Sequence, residues 1–256
     1  MDTKRNTSND ERPLAFHDVP FINSEEGRPL RILAEYLEPL ERLKREKIHD
    51  TIVFFGSARM KEGGEFSRFY EDARMLAKNL TNWSLSLPGN NRFVICSGGA
   101  GGIMEAANRG AAEAGGRTIG FNIGLPHEQR PNSFVTPELL FEFHYFFMRK
   151  LWFSHLAKAL IVFPGGFGTL DEMMEILTLV QTQKLDREIT ILLYGQDYWR
   201  EILNMDALVK YKMIDVSDLS LFQYVDNVDE AFTLLKSRLP QEPTTYTPSI
   251  AKSRTC

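Results

Sequence analysis

Short apolar runs alternate with longer stretches of helical periodicity through the middle of the chain. The runs are TIVFFG (51–56), RFVICSGG (92–99), RTIGFNIG (117–124), LLFEFHY (139–145), ALIVFPGG (159–166), EITILLYG (188–195) and LFQYVD (221–226). Between most of them lie segments of helical character such as FSRFYEDARMLAKNL and GGIMEAANRGAAEAGG. Strand, helix, strand repeated in this way predicts an α/β fold with a mainly parallel sheet of about seven strands, covered by helices on both faces. Ahead of the first run, Leu30, Leu33, Leu37 and Leu40 recur at helical spacing. They predict an amphipathic helix that packs on the domain from outside and turns its charges away. Residues 1–26 are polar and aperiodic, and residues 240–256 are rich in Pro, Thr and Ser. Flexible tails are expected there, around a single domain over 27–239.

Composition narrows the classes of function. A chain of 256 residues, 43% hydrophobic, can bury one substantial core. A net charge of -4 and a pI near 5.8 argue against nucleic acid as a partner, because such domains are usually basic. The two cysteines, Cys96 and Cys256, give neither a disulfide framework nor a metal site, and a reducing compartment is expected. No stretch approaches the length of a membrane span, so a cytoplasmic protein with no membrane partner is expected.

Several strands end in glycine, and this changes the picture more than composition does. Three turns stand out: GSAR at 56–59, SGGAGG at 97–102 and PGGFGT at 164–169. In an open parallel sheet, ligands bind outside the carboxyl ends of the strands, where glycine lets backbone amides come close. The N-termini of the following helices add unpaired N–H groups that favour a phosphate. If strands 1, 2 and 5 are near neighbours, the three turns share one rim. Neither G-x-G-x-x-G nor G-x-x-x-x-G-K-[ST] is present. A mononucleotide or sugar phosphate therefore fits better than a dinucleotide or P-loop ATP chemistry.

The last glycine turn runs into three acids, Asp171, Glu172 and Glu175. Thr169-x-x-Glu172 has the form of a capping box, and Asp171 would suit the first turn of a helix. The competing reading places Glu172 beside a bound ribose, where a carboxylate can stabilise an oxocarbenium-like centre or activate water. A phosphate nearby would raise that carboxylate's pKa, so a cation is wanted. Arg149, within FHYFFMRKLWFSHLAKALIVF, is the candidate, since a guanidinium makes bidentate contacts to oxygens. Lys150 reads on its own as a helix-end side chain reaching for water. His144 and His155 read as packed or partly exposed rather than catalytic.

Taken together, PGGFGTLDE, the upstream MRK, SGGAGGIMEAANRGA and the GSA turn resemble the LONELY GUY (LOG) family of cytokinin-activating nucleoside 5'-monophosphate phosphoribohydrolases, from about Ile48 to Leu239. The resemblance implies a Rossmann-like fold, no cofactor, no metal and a homodimer or higher homo-oligomer. It implies phosphate binding through Gly165, Gly166, Gly168 and Thr169, with Gly56, Ser57, Gly98, Gly99 and Lys150 also at the site. It places the catalytic roles on Arg149 and Glu172, and a dimer interface on the aromatic run around Phe146 and the LTLVQTQKL segment. The chain departs from the family's M-H-x-R-K form, having Phe146 and Phe147 where Met and His would stand, which leaves the accepted base open. Hydrolysis of a nucleoside 5'-monophosphate, a cytokinin ribotide or AMP, is expected. The alternative is a non-catalytic nucleotide-binding or molybdenum-cofactor carrier of the same fold. A decarboxylase is disfavoured, because no lysine stands in a pyridoxal phosphate setting.

Overall fold

The computed structural model describes residues 13–89, 91–124, 130–185 and 188–240. Within the expected N-terminal tail, residues 15–17 form a 3-10 turn and α1 spans Val19–Asn23. Asp18 accepts a hydrogen bond from the Phe21 amide at the start of α1, and the Arg31 guanidinium donates to the Ile22 and Ser24 carbonyls. This segment thus acquires local order through caps, which hydrophobic periodicity does not report. Residues 1–12 of the first expected tail and 241–256 of the second lie outside the described residues.

The elements then follow as α2 (Arg28–Arg45), β1 (Thr51–Phe55), α3 (Ser67–Leu85), β2 (Val94–Ser97), α4 (Ile103–Glu113), β3 (Thr118–Ile123), β4 (Leu140–Phe143), α5 (Phe146–Leu156), β5 (Ala157–Val162), α6 (Phe167–Gln181), β6 (Thr190–Tyr194), α7 (Gln196–Ile202), α8 (Met205–Lys210), β7 (Gln223–Val225) and α9 (Val228–Arg238). Every strand pairing is parallel, and the order is β4-β3-β2-β1-β5-β6-β7. The expected seven-stranded α/β sheet is therefore present, and it is wholly parallel. Strand order reverses between β1 and β5, the switch point at which open α/β sheets bind ligands. β2, β1 and β5 are adjacent, so the three glycine turns share one rim.

Alternation along the strands divides the core. Ile52, Phe54, Ala159 and Ile161 pack with Leu76, Ala77, Ala107 and Leu235 under α3, α4 and α9. Val53, Phe55, Leu160 and Val162 pack with Trp152, Phe153, Met173 and Trp199 under α5, α6 and α7. Burial on both faces is why the central runs read as largely apolar, whereas the edge strand β4 alternates, with Glu142 exposed. Cys96 lies fully buried in this core, and burial pushes its thiol pKa well above the ordinary value. No helix among the described residues is long and apolar enough to cross a membrane.

The amphipathic helix α2 packs, but through a different stripe from the expected one. Leu30, Leu33 and Leu37 are 46%, 51% and 49% exposed, whereas Pro39 and Leu43 are buried, and Ile32, Tyr36 and Leu40 rest on the core. Two overlapping apolar stripes run along this helix. The anchor on the domain is the one containing the aromatic, with Trp152 Nε1 donating to the Glu35 carbonyl and the Tyr36 and Trp152 rings 5.9 Å apart.

Candidate active site

A cavity of about 750 Å³ opens at the carboxyl ends of β3, β2, β1 and β5. From the β1 turn it is lined by Gly56 and Ser57, and from the β2 turn by Gly98. The β5 turn supplies Gly165, Gly166, Gly168 and Thr169, while α5 and α6 contribute Arg149 and Glu172. Gly99 and Lys150 are absent from this lining. A Cβ on Gly99 would sit 3.2 Å from the backbone of Gly120, so that glycine serves the packing of β2 on β3. A second cavity of about 790 Å³, at β7 and α9 and lined by residues such as Phe222 and Leu234, holds none of the residues singled out from sequence.

The turns are tied to one another by backbone. The Ser57 amide donates to the Pro164 carbonyl at 3.0 Å, the Ile103 amide to the Ser57 carbonyl at 3.1 Å, and the Tyr198 hydroxyl to the Gly165 carbonyl at 2.7 Å. With the Ser57 amide committed in this way, the start of α6 supplies uncommitted backbone donors, and Arg59 of the β1 turn adds a guanidinium to the lining. That helix starts at Phe167 behind Gly166, and no side chain caps it. The amides of Phe167, Gly168 and Thr169 consequently have no partner within the helix and face the cavity with the positive end of its dipole. A Cβ on Gly165 would fall 2.1 Å from Thr169 Oγ1, so only glycine fits there, but a Cβ on Gly166 or Gly168 would meet nothing within 4 Å. The last two glycines thus leave open space that a ligand can occupy.

This helix start overturns the capping-box reading. Thr169 lies inside the first turn rather than at the cap, and Glu172 points instead to Arg149. Arg149 Nη2 lies 3.0 Å from Glu172 Oε1, with side-chain exposures of 15% and 7%. Burial pushes the Glu172 carboxyl up to about 7; the positive charges of Arg149 and Lys150 pull against this shift, and Glu175 and Asp171 add to it. Two of those acids are themselves engaged. Asp171 falls beyond the first turn and, with Glu175, holds the Lys150 ammonium at 2.7 and 2.8 Å. Burial alone would lower the Lys150 pKa, but the two carboxylates hold it above its ordinary value. Lys150 therefore fastens α5 to α6 outside the cavity.

Arg149 is clasped by rings, with its guanidinium carbon 5.3 Å from the centre of Phe146 and 5.6 Å from that of Phe153. Phe146, where the family motif has another residue, thus becomes the guanidinium's platform. The Arg149 Nε–H is buried without a hydrogen-bond partner, which leaves a donor for a ligand oxygen. His144 and His155 do not line the cavity; each stacks edge-on to an aromatic neighbour, Tyr145 and Trp152. Among the described residues no group of three or more His, Cys, Asp or Glu could hold a metal ion. Sequence reasoning missed Asn122, Met104 and Tyr198 as cavity residues. Asn122 was legible as a polar residue flanked by Phe121 and Ile123 in a strand buried throughout, whereas nothing local marked the other two.

Comparison with known proteins bears on the family and the fold. A family model described as possible lysine decarboxylase matches residues 104–235, from α4 to α9. A probable cytokinin riboside 5'-monophosphate phosphoribohydrolase of Oryza sativa subsp. japonica is 27% identical over 194 residues, covering 75% of this chain and 78% of that protein. A cytokinin riboside 5'-monophosphate phosphoribohydrolase of Arabidopsis thaliana is 27% identical over 154 residues, covering 59% of this chain and 65% of the relative. Among solved structures, the molybdenum cofactor binding protein of Rippkaea orientalis superposes with a TM-score of 0.51 at 20% identity, over 73% of this chain and 96% of that one. The molybdenum cofactor carrier protein of Chlamydomonas reinhardtii gives 0.50 at 20% identity, over 73% and 97%. At that identity the two structures bear on the fold alone.

Proposed function

Because the chain belongs to the LONELY GUY (LOG) family, the one described as possible lysine decarboxylase, we propose that it hydrolyses the N-glycosidic bond of a nucleoside 5'-monophosphate, cytokinin ribotide or AMP, to free base and ribose 5-phosphate. The observation that carries this reading is the buried Glu172–Arg149 pair on the wall of a cavity bordered by an uncapped helix N-terminus. The 5'-phosphate would rest on the amides of Phe167, Gly168 and Thr169, using remote binding energy to orient the sugar. Glu172 would then stabilise the positive charge developing at the anomeric carbon or take a proton from the attacking water. Water oxygen bonds to that carbon, the bond to the base nitrogen breaks, and the electron pair leaves with the base, which is protonated. Arg149 would pull the Glu172 pKa back down against burial, favouring the ionised form the reaction needs, and offer its free Nε–H to a phosphate or ribose oxygen.

Decarboxylation through a lysine Schiff base finds no support, since no lysine lines the cavity among the described residues and Lys150 is bound to two carboxylates. A second copy of the chain, packed over the half-exposed Phe146 and Phe147, would complete the mouth of the cavity, and its presence is read from the mass in solution. The test of the reaction is incubation with AMP and with adenosine, following free adenine and ribose 5-phosphate. Release of adenine from AMP but not from adenosine, with loss in Glu172→Gln, supports the reading. AMP binding without turnover would return the protein to the carrier class.

A further inference from the structure

Two polar residues near the site have no part in the chemistry above. Asn122 and Glu142 stand opposite one another in the parallel register of β3 and β4, close to the carboxyl ends of these strands. Asn122 lines the cavity and is buried, and its Nδ2 donates to Glu142 Oε2 at 2.8 Å. The cavity neighbours from β2, α4 and β3 are Gly98, Ala100, Met104 and Ile123. Asn122 therefore presents the polar side chain at an end that is otherwise apolar, a combination that suits one face and one edge of a heteroaromatic ring.

Position along the sheet says which part of a nucleotide reaches it. β3 lies three strands from β5, and at about 4.8 Å per strand their rims are roughly 14 Å apart. With the phosphate on α6 and the sugar beside Glu172, the base extends toward β3. We propose that Asn122, locked by Glu142, reads the base and selects 6-aminopurines over 6-oxopurines. This rests on the phosphoribohydrolase reading for the placement of the base.

The selectivity comes from the lock. A carboxylate only accepts, so Glu142 fixes the amide with its nitrogen toward the carboxylate. Asn122 Oδ1 and the second hydrogen on Nδ2 are left for the cavity, the acceptor and donor with which an asparagine meets the amino group and an adjacent ring nitrogen of adenine. A 6-oxopurine presents the reverse on its pairing edge, with O6 accepting and N1 donating. To match it the amide would have to flip, which would turn Oδ1 onto the Glu142 carboxylate, acceptor against acceptor. Discrimination then has a repulsive component as well as an attractive one.

The test compares kcat/KM for AMP and IMP, with calorimetric binding of both nucleotides in parallel. The intact chain should favour AMP by at least about tenfold. Glu142→Gln is an isosteric change of an exposed residue on the edge strand, and its amide can donate as well as accept. It should raise IMP and shrink the ratio to about twofold or less, while inhibition by ribose 5-phosphate stays unchanged. Asn122→Ala should lower AMP and abolish the preference. A ratio near one in the intact chain, or an unchanged ratio in Glu142→Gln, overturns the proposal. If neither nucleotide turns over, the hydrolytic reading fails, and the calorimetric AMP-to-IMP ratio in the same two proteins still decides the lock.

Discussion

Glu172 has two opposing demands on its proton, and both can be measured. Its folded pKa, about 7, lies above the ordinary 4.5 because burial penalises the charge more than Arg149 rewards it. The native state therefore holds a proton that the unfolded chain releases, and stability from this group is complete below about pH 4.5. It is lost as pH rises through 7, by roughly 3 kcal/mol at most. Glu172→Gln carries no such dependence, so denaturant unfolding should show the variant gaining on the parent by roughly this amount between pH 4.5 and pH 8. Catalysis needs the opposite state. The kcat/KM profile should have an acid limb with an apparent pKa near 7, since that profile reports the free enzyme. Arg149→Met removes the main group lowering this pKa, so the limb of its residual activity should move to higher pH, and a limb that stays in place would detach Arg149 from the ionisation of Glu172. The sequence carried the two residues and the need for a cation. It did not carry the burial that sets the pKa, because that burial arises only once α5, α6 and the sheet are assembled from separate segments of the chain.

At the scale of one element, α6 separates glycines needed for folding from glycines needed for a ligand. Gly168 sits in its first turn with open space where a Cβ would go, so alanine there should be neutral or stabilising, by up to about 1 kcal/mol from helix propensity. The same methyl would project beside the proposed phosphate, and Gly168→Ala should raise KM for AMP at least about tenfold while the melting temperature holds or rises. Gly165→Ala should do the reverse of a silent change, lowering stability because its Cβ meets Thr169 and the helix start must shift. A Gly168→Ala protein with unaltered KM would place the phosphate elsewhere. The two stripes of α2 differ in the same way. Leu33→Gln, on the exposed stripe, should change stability by no more than about 0.5 kcal/mol, and Leu43→Ala, on the buried one, should cost about 2–5 kcal/mol. The helix was legible from leucine spacing, but the face was not. Periodicity fixes which residues share a stripe, and the choice between two apolar stripes is made by the partner, here Trp152 on α5.

Across the whole molecule, the sheet assigns different work to its two rims. The carboxyl ends of the strands carry the glycine turns, and this was legible because glycine after an apolar run marks both the strand end and a close backbone approach. The adjacency of β2, β1 and β5 could only be assumed from sequence, since strand order depends on how the crossovers lie. The amino ends of β1 and β2 hold a different device, hidden in sequence among ordinary charged residues. Asp50 accepts from the Phe93 amide, and Arg92, its ion-pair partner at 3.4 Å, donates to the Pro240 carbonyl at 2.9 Å and lies over the Phe93 ring. Both side chains are almost wholly buried, at 3% and 2% exposure. Such a pair contributes little net stability against an apolar replacement of both partners, but removing one strands the other in the core. Arg92→Leu should therefore cost about 3–5 kcal/mol in denaturant unfolding, and pairing it with Asp50→Asn should recover part of the loss. Because this rim is the one opposite the cavity, kcat/KM for AMP measured well below the melting temperature should be unchanged in both proteins. A catalytic defect at full folding would mean that the two rims are coupled through β1 and β2, and that the division of labour between them is not the one the strand ends suggest.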